Sequence, residues 1–204
     1  MKLGVFGGTF DPIHLGHLIV AEFFRETFRM DRVLFIPAGE PWFKTGQYVT
    51  DGKHRLEMVK LAIAENPHFA ASDVELRRDG PTYTFDTLTA LREELGDDTE
   101  FTVILGIDAL NELHRWQRAV DVLNMATIVG VARPGATEMD SAALDTIREG
   151  ASGEVTIVNG PLIDISATDI RQRVAEGSSI KYRVPQAVDE YIYRHGLYQR
   201  EEAT

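Results

Sequence analysis

Short runs of consecutive apolar residues alternate with longer amphipathic stretches from one end of the chain to the other. Residues 2–6, 32–36, 101–105, 127–131 and 155–158 are rich in Val, Ile, Leu and Phe, and their length and uniform apolarity predict buried strands; residues 69–76 form a weaker candidate. Residues 15–28, 51–64, 84–95, 118–123, 141–149, 167–176 and 185–195 repeat apolar side chains at helical spacing and predict helices. Such alternation implies an α/β fold, a doubly wound parallel sheet covered by helices on both faces. The chain reads as a single domain over residues 1–204, with residues 167–198 as a small C-terminal helical part. In sheets of this kind ligands bind beyond the carboxyl ends of the strands, where the strand order reverses. The longest expected loop, residues 37–50, is rich in Gly, Pro and aromatic residues and suits a flap over a site.

Composition narrows the partners. The 204 residues, 44% hydrophobic and 26% charged, are enough for a substantial core in an ordinary soluble protein. Lys and Arg number 21 against 32 Asp and Glu, a formal charge of −11 that opposes nucleic-acid binding but allows a small anion held by a local cluster of donors. With no cysteine, disulfides and thiolate chemistry are excluded. No apolar run approaches the ~18 residues of a membrane span, and the apolar stretch at the N-terminus is too short for a signal peptide, so the expected location is the cytoplasm.

Candidate chemistry concentrates in residues 7–17, Gly-Gly-Thr-Phe-Asp-Pro-Ile-His-Leu-Gly-His, between the first predicted strand and the first predicted helix. Glycines at 7 and 8 let a phosphate approach the backbone, and Asp11-Pro12 reads as an N-cap followed by a first-turn proline. His14 and His17 share one face of the first turn, where both can donate to phosphoryl oxygens, and Gly16 keeps the surface between them low. Neither the Walker A loop nor the G-x-G-x-x-G spacing is present. A glycine-rich turn with two surface histidines is the plain alternative; a zinc pair is another, but it needs a third ligand with no obvious candidate. At residues 165–171, Ile-Ser-Ala-Thr-Asp-Ile-Arg, Ser166 and Asp169 approximate a capping box at a second helix start.

These two segments together resemble the H-x-G-H and I-S-S-T-x-x-R motifs of the nucleotidyltransferase superfamily, in matching order and about 150 residues apart. The resemblance implies a Rossmann-like nucleotidyltransferase fold and an ATP site formed by Gly7, Gly8, Thr9, Phe10, His14, Gly16, His17, Ile165, Ser166, Thr168 and Arg171. His14 and His17 would contact the triphosphate and Arg171 would neutralise it, an arginine suiting phosphate because its planar fork grips two oxygens. Ala167 stands where the superfamily usually has a second serine, which puts one hydroxyl contact in doubt.

The resemblance narrows to the bacterial nicotinate-nucleotide adenylyltransferases through Gly80 to Leu88, Gly106 to Ala109, Trp116, Arg133-Pro134 and Val184-Pro185, and it covers nearly the whole chain. It implies an acceptor site of Thr82, Tyr83, Thr84, Gly106, Asp108, Trp116 and Arg133. Each has a plain alternative: Trp116 a half-buried core residue, residues 82–84 a bare helix cap, Asp108 a cap for the next turn, Arg133 a partner for a surface acid. Lys44 lies in the flap where the family reads Pro-Pro-His-Lys; Phe43 replaces the histidine. His54-Arg55 opens a helix, where a structural role is at least as apt.

The implied reaction transfers AMP from ATP to the 5′-phosphate of nicotinate mononucleotide, giving nicotinate adenine dinucleotide and pyrophosphate in NAD biosynthesis. Catalysis would rest on His14, His17, Arg171 and Lys44. Mg²⁺ would accompany ATP, with no protein ligand assigned. The alternatives are nicotinamide mononucleotide or phosphopantetheine as acceptor, or a nucleotide-binding regulator without catalysis. The sequence leaves the oligomeric state open.

Overall fold

The computed structural model describes residues 1–39, 49–132 and 151–199, apart from the side chain of Asp108. The predicted helix at residues 141–149, most of the 37–50 loop with Lys44 and Phe43, and Arg133-Pro134 lie outside the described residues.

Six strands are described: β1 (Lys2–Gly8), β2 (Arg32–Pro37), β3 (Phe69–Ala71), β4 (Glu100–Gly106), β5 (Ala126–Ala132) and β6 (Val155–Asn159). They form one sheet in the order β3-β2-β1-β4-β5-β6, every neighbouring pair parallel. That order reverses between β1 and β4, so the switch point lies beside Gly7 and Gly8 at the end of β1 and Gly106 at the end of β4. The expected third strand stops at Ala71; residues after Ser72, where Asp73, Glu75, Arg77 and Arg78 crowd the segment, leave the extended course and form turns.

The helices are α1 (Leu15–Thr27), α2 (Gly52–Ile63), α3 (Thr84–Leu95), α4 (Ile107–Asn111), α5 (Ala119–Met125), α6 (Ala167–Ala175) and α7 (Gln186–Arg194). A 3₁₀ turn, Leu113–Arg115, follows α4. Because successive strand side chains point to opposite faces, two cores form. On one face Leu3, Val5, Ile36, Val103, Leu105 and Ile128 pack under Leu88 and Leu91 of α3, Leu110 of α4 and Val122 and Leu123 of α5. On the other, Phe6, Val33, Phe35, Ile104 and Val129 meet Phe24 of α1, Met58 and Val59 of α2, Ile170 and Val174 of α6 and Val188 and Ile192 of α7. Helices therefore cover both faces, as the alternation predicts. Helix α4 and the 3₁₀ turn are additional: five and three residues are too few for a helical period to show in sequence. No helix among the described residues is long and apolar enough to cross a membrane.

Candidate active site

The turn between β1 and α1 is set by buried groups. Phe10 takes a left-handed backbone, φ 50°, and its ring is only 2% exposed, edge-on to Phe6 and to His17. The ring therefore supports the site from below, and only the backbone of Phe10 can face a nucleotide. Gly8 is explained by the same ring, since a Cβ there would sit 3.0 Å from it, whereas a Cβ on Gly7 would meet nothing within 4 Å. Gly7 thus leaves the open approach that its place at the strand end predicts.

Asp11 is not the N-cap of α1. The cap is His14, whose extended backbone (φ −144°) precedes the helix at Leu15. Asp11 is instead 4% exposed, with Oδ2 accepting from the Thr50 amide at 3.1 Å and Oδ1 accepting from the Tyr198 hydroxyl at 2.6 Å. Two long-range partners outcompete a local cap, a choice that no local pattern records.

His14 and His17 stack, with centroids 3.7 Å apart and planes 24° from parallel. Nδ1 of His17 accepts the amide hydrogen of His14 at 3.2 Å. In the neutral ring this leaves the hydrogen on Nε2, as a donor. Phe6 and Phe10 hold the His17 ring edge-on at 6.1 and 5.0 Å. Gly16 is required here, because a Cβ would come within 3.0 Å of the His14 ring and 3.4 Å of Ile163.

The segment 160 residues further on closes against this turn. Arg171 on α6 donates from Nη1 to the Asp11 carbonyl at 2.7 Å and from Nη2 to the Thr168 hydroxyl at 3.3 Å. Ser166 caps α6 by accepting from the Asp169 amide at 3.1 Å, but the Asp169 carboxylate pairs with Arg183 at 2.9 Å and does not complete the capping box. Ser166 and Thr168 are exposed and Ile165 half-buried.

Beside this corner a cavity of about 750 Å³ is lined by Gly7, Gly8 and Thr9 from the β1 end, Thr82, Tyr83 and Thr84 from the start of α3, and Trp116 with its neighbours Arg115 and Gln117. The N-cap of α3 is Tyr83, with no side-chain hydrogen bond to the first turn, so the helix's amide end faces the cavity uncapped. Trp116 is half-buried and packed against the core cluster under α3. Arg118, at φ 59°, lies 3.5 Å over the Phe85 ring and pairs with Asp121 at 2.7 Å, which fastens the tryptophan segment to α3. Glu75 and Glu112 also reach the wall; Thr87 donates to Glu75 at 2.8 Å and Arg115 pairs with Glu112. Gly106 is the N-cap of α4, outside the cavity lining, and the backbone of Asp108 lies two residues beyond it, in the first turn.

Arg55 has the structural role that its place at a helix start allowed, but its partners lie beyond the reach of any local pattern. It is 2% exposed and donates to the carbonyls of Thr50 (2.8 Å), Thr9 (2.8 Å) and Ala38 (2.7 Å), binding together the three segments that surround the β1 turn. Burial lowers the pKa of its guanidinium, and the nearby Asp11 carboxylate acts in the opposite direction. A buried arginine in an amphipathic helix differs in no local respect from an exposed one. His54 beside it has a structural place, its Nδ1 2.9 Å from the Tyr191 hydroxyl. Among the described residues no group of three or more His, Asp or Glu could hold a metal ion.

Residues 5–173 match the cytidylyltransferase-like family model. Two similar chains, from Thermomicrobium roseum and a Roseiflexus species, are each named "Probable nicotinate-nucleotide adenylyltransferase". The first is 49% identical over 99% of this chain and 94% of its own, the second 47% identical over 97% and 98%. Two solved structures of Plasmodium falciparum nicotinic acid mononucleotide adenylyltransferase, one complexed with APC and one with NaAD, superimpose with TM-scores of 0.74 and 0.75. Each is 19% identical, covers 97% of this chain and is itself covered over 96% or more, a likeness of fold.

Proposed function

The chain belongs to the cytidylyltransferase-like family and, by its curated relatives, to the nicotinate-nucleotide adenylyltransferases, and we propose how its cleft performs that transfer. The reaction joins ATP to nicotinate mononucleotide, giving nicotinate adenine dinucleotide and pyrophosphate. The observation that carries this reading is the junction at Gly7 to Thr9. There a phosphate corner of two stacked imidazoles and an anchored arginine adjoins a cavity that fits a mononucleotide.

An oxygen of the acceptor's 5′-phosphate attacks the α-phosphorus of ATP, and the bond from that phosphorus to its α–β bridging oxygen breaks as pyrophosphate leaves. The protein positions the two reactants and neutralises charge. His17 donates from Nε2 to the α-phosphate as charge builds there, while His14 binds the neighbouring phosphate. Arg171, with Lys44, holds the leaving pyrophosphate, and Ser166, Thr168 and the Gly8 to Phe10 backbone line the nucleotide. Mg²⁺ would accompany ATP as its chelate, with no protein ligand assigned.

On the acceptor side, Trp116 stacks on the pyridine ring, and the amides of Thr84 and its neighbours face the nicotinate carboxylate, aided by the positive end of α3. Thr82 and Tyr83 shape that pocket; Asp108, beyond Gly106, takes a ribose hydroxyl, and Arg133 the acceptor's phosphate. A cytoplasmic setting suits a reaction between soluble metabolites. The test is to supply ATP with nicotinate mononucleotide, nicotinamide mononucleotide or phosphopantetheine and to follow pyrophosphate. Release with the first acceptor is expected. ATP binding without pyrophosphate from any of them would make the chain a nucleotide-binding regulator.

A further inference from the structure

The Asp11 carboxylate joins the phosphate corner to the far end of the chain. Of the groups bonded to Asp11, the Thr50 amide comes from 39 residues away, Arg171 from 160 and the Tyr198 hydroxyl from 187. Tyr198 follows α7 with a left-handed backbone, φ 64°, and its ring packs against the same core cluster as Phe10 and Ile13. Burial and the adjoining carboxylate raise the pKa of the phenol far above the physiological range, so it stays a donor. Arg171, for its part, spends two N–H groups on the Asp11 carbonyl and Thr168, with no other acceptor among the described residues. The direction of its guanidinium is therefore set by where the Asp11 main chain lies.

We propose that Tyr198 is a positioning residue of the nucleotide site. By donating to Oδ1 of Asp11 it fixes the turn whose carbonyl carries Arg171, and so aims that arginine at the triphosphate. Three features support the assignment over simple packing. The hydrogen bond is short, its acceptor is a buried carboxylate, and the residue so fixed is itself the hydrogen-bond acceptor for Arg171. None of the hydrogen bonds that make up the bridge goes to a residue lining the acceptor cavity. Its effect should therefore fall chiefly on ATP.

This inference rests on the role given to Arg171 above, and the test separates the two. Tyr198→Phe keeps the ring and removes only the hydroxyl. The expected result is a folded enzyme whose KM for ATP rises roughly three- to tenfold while the KM for the acceptor stays within about twofold. In an Arg171→Ala background the same substitution should add nothing, because the bridge acts through that arginine. If Tyr198→Phe fails to fold, Asp11→Asn, of equal size, should give the same ATP-selective rise and the same loss of effect beside Arg171→Ala. Effects that multiply in the double variants, no effect at all, or equal changes for ATP and acceptor, would overturn the bridge. An unchanged ATP KM in Arg171→Ala alone would instead overturn the nucleotide-site assignment on which it rests.

Discussion

At the Asp11 end of the cleft, proposed to hold phosphate, charged groups are buried and tied to backbone from distant segments; at the Trp116 end, proposed to hold the acceptor, the charged groups of the wall are half-buried or exposed. Arg55 and Asp11 are 2% and 4% exposed, and the partners that hold them come from as far as Tyr198. Trp116 is only half-buried, while Arg115 and Arg118 are exposed and pair with carboxylates three residues away. The physical requirement differs between the two ends. Stabilising charge that develops on a phosphoryl group needs donors fixed before the reaction, since reorganisation would cost what the interaction gains. A flat ring needs a surface of the right shape, the part proposed for the locally fastened Trp116.

The comparison breaks most readily at Arg55. Arg55→Met should destabilise the protein by about 3–5 kcal/mol, because it leaves the Asp11 carboxylate without its nearby cation and three carbonyls without a donor. Denaturant unfolding measures this; a change within ~1 kcal/mol would show that the phosphate corner holds without its buried clamp. His17→Ala should fold normally yet lose on the order of 10²–10³ in turnover, the usual cost of removing one donor aimed at a reacting oxyanion. An unfolded His17→Ala would mean that its place between Phe6 and Phe10 matters for packing first.

At the acceptor end the expected effects are smaller. The amide end of α3 should favour nicotinate mononucleotide over its amide by at least about tenfold in kcat/KM, since a mismatched buried polar contact costs roughly 1–3 kcal/mol. Equal values would mean that this pocket reads shape and not charge. Smallest of all, Trp116→Ala should weaken both acceptors together by about two- to tenfold, the worth of one aromatic contact, and leave their ratio unchanged. A shift in the ratio would show that the tryptophan also sets the position of the α3 amides, through the Arg118 contact to Phe85.

Legibility in the sequence followed the range of the interactions. The strands and the longer helices were readable because burial on a parallel sheet imposes a local pattern, and β1, β2, β4, β5 and β6 end within two residues of where that pattern stops. The weak run at residues 69–76 lost its charged half to a turn, and α4 was too short to show. In the candidate site, that His14 and His17 share one face could be anticipated from their spacing, though not that they stack, and Arg171 from the motif that carries it. Asp11 was misread as a cap. Its partners Thr50 and Tyr198 are remote, and nothing within a helical turn of it reveals them.

The sequence by itself determined the α/β class, the two-faced helical cover and the glycine and histidine chemistry at the end of β1, because each depends on the side chains of a few successive residues. Tertiary structure alone decided which partners the charged groups of the site take: that Arg55 binds the Thr9, Ala38 and Thr50 carbonyls, that Asp11 receives Tyr198, and that Arg171 rests on the Asp11 carbonyl. A buried ion's partner is chosen by desolvation and geometry across the whole fold, and no local pattern of residues encodes that choice.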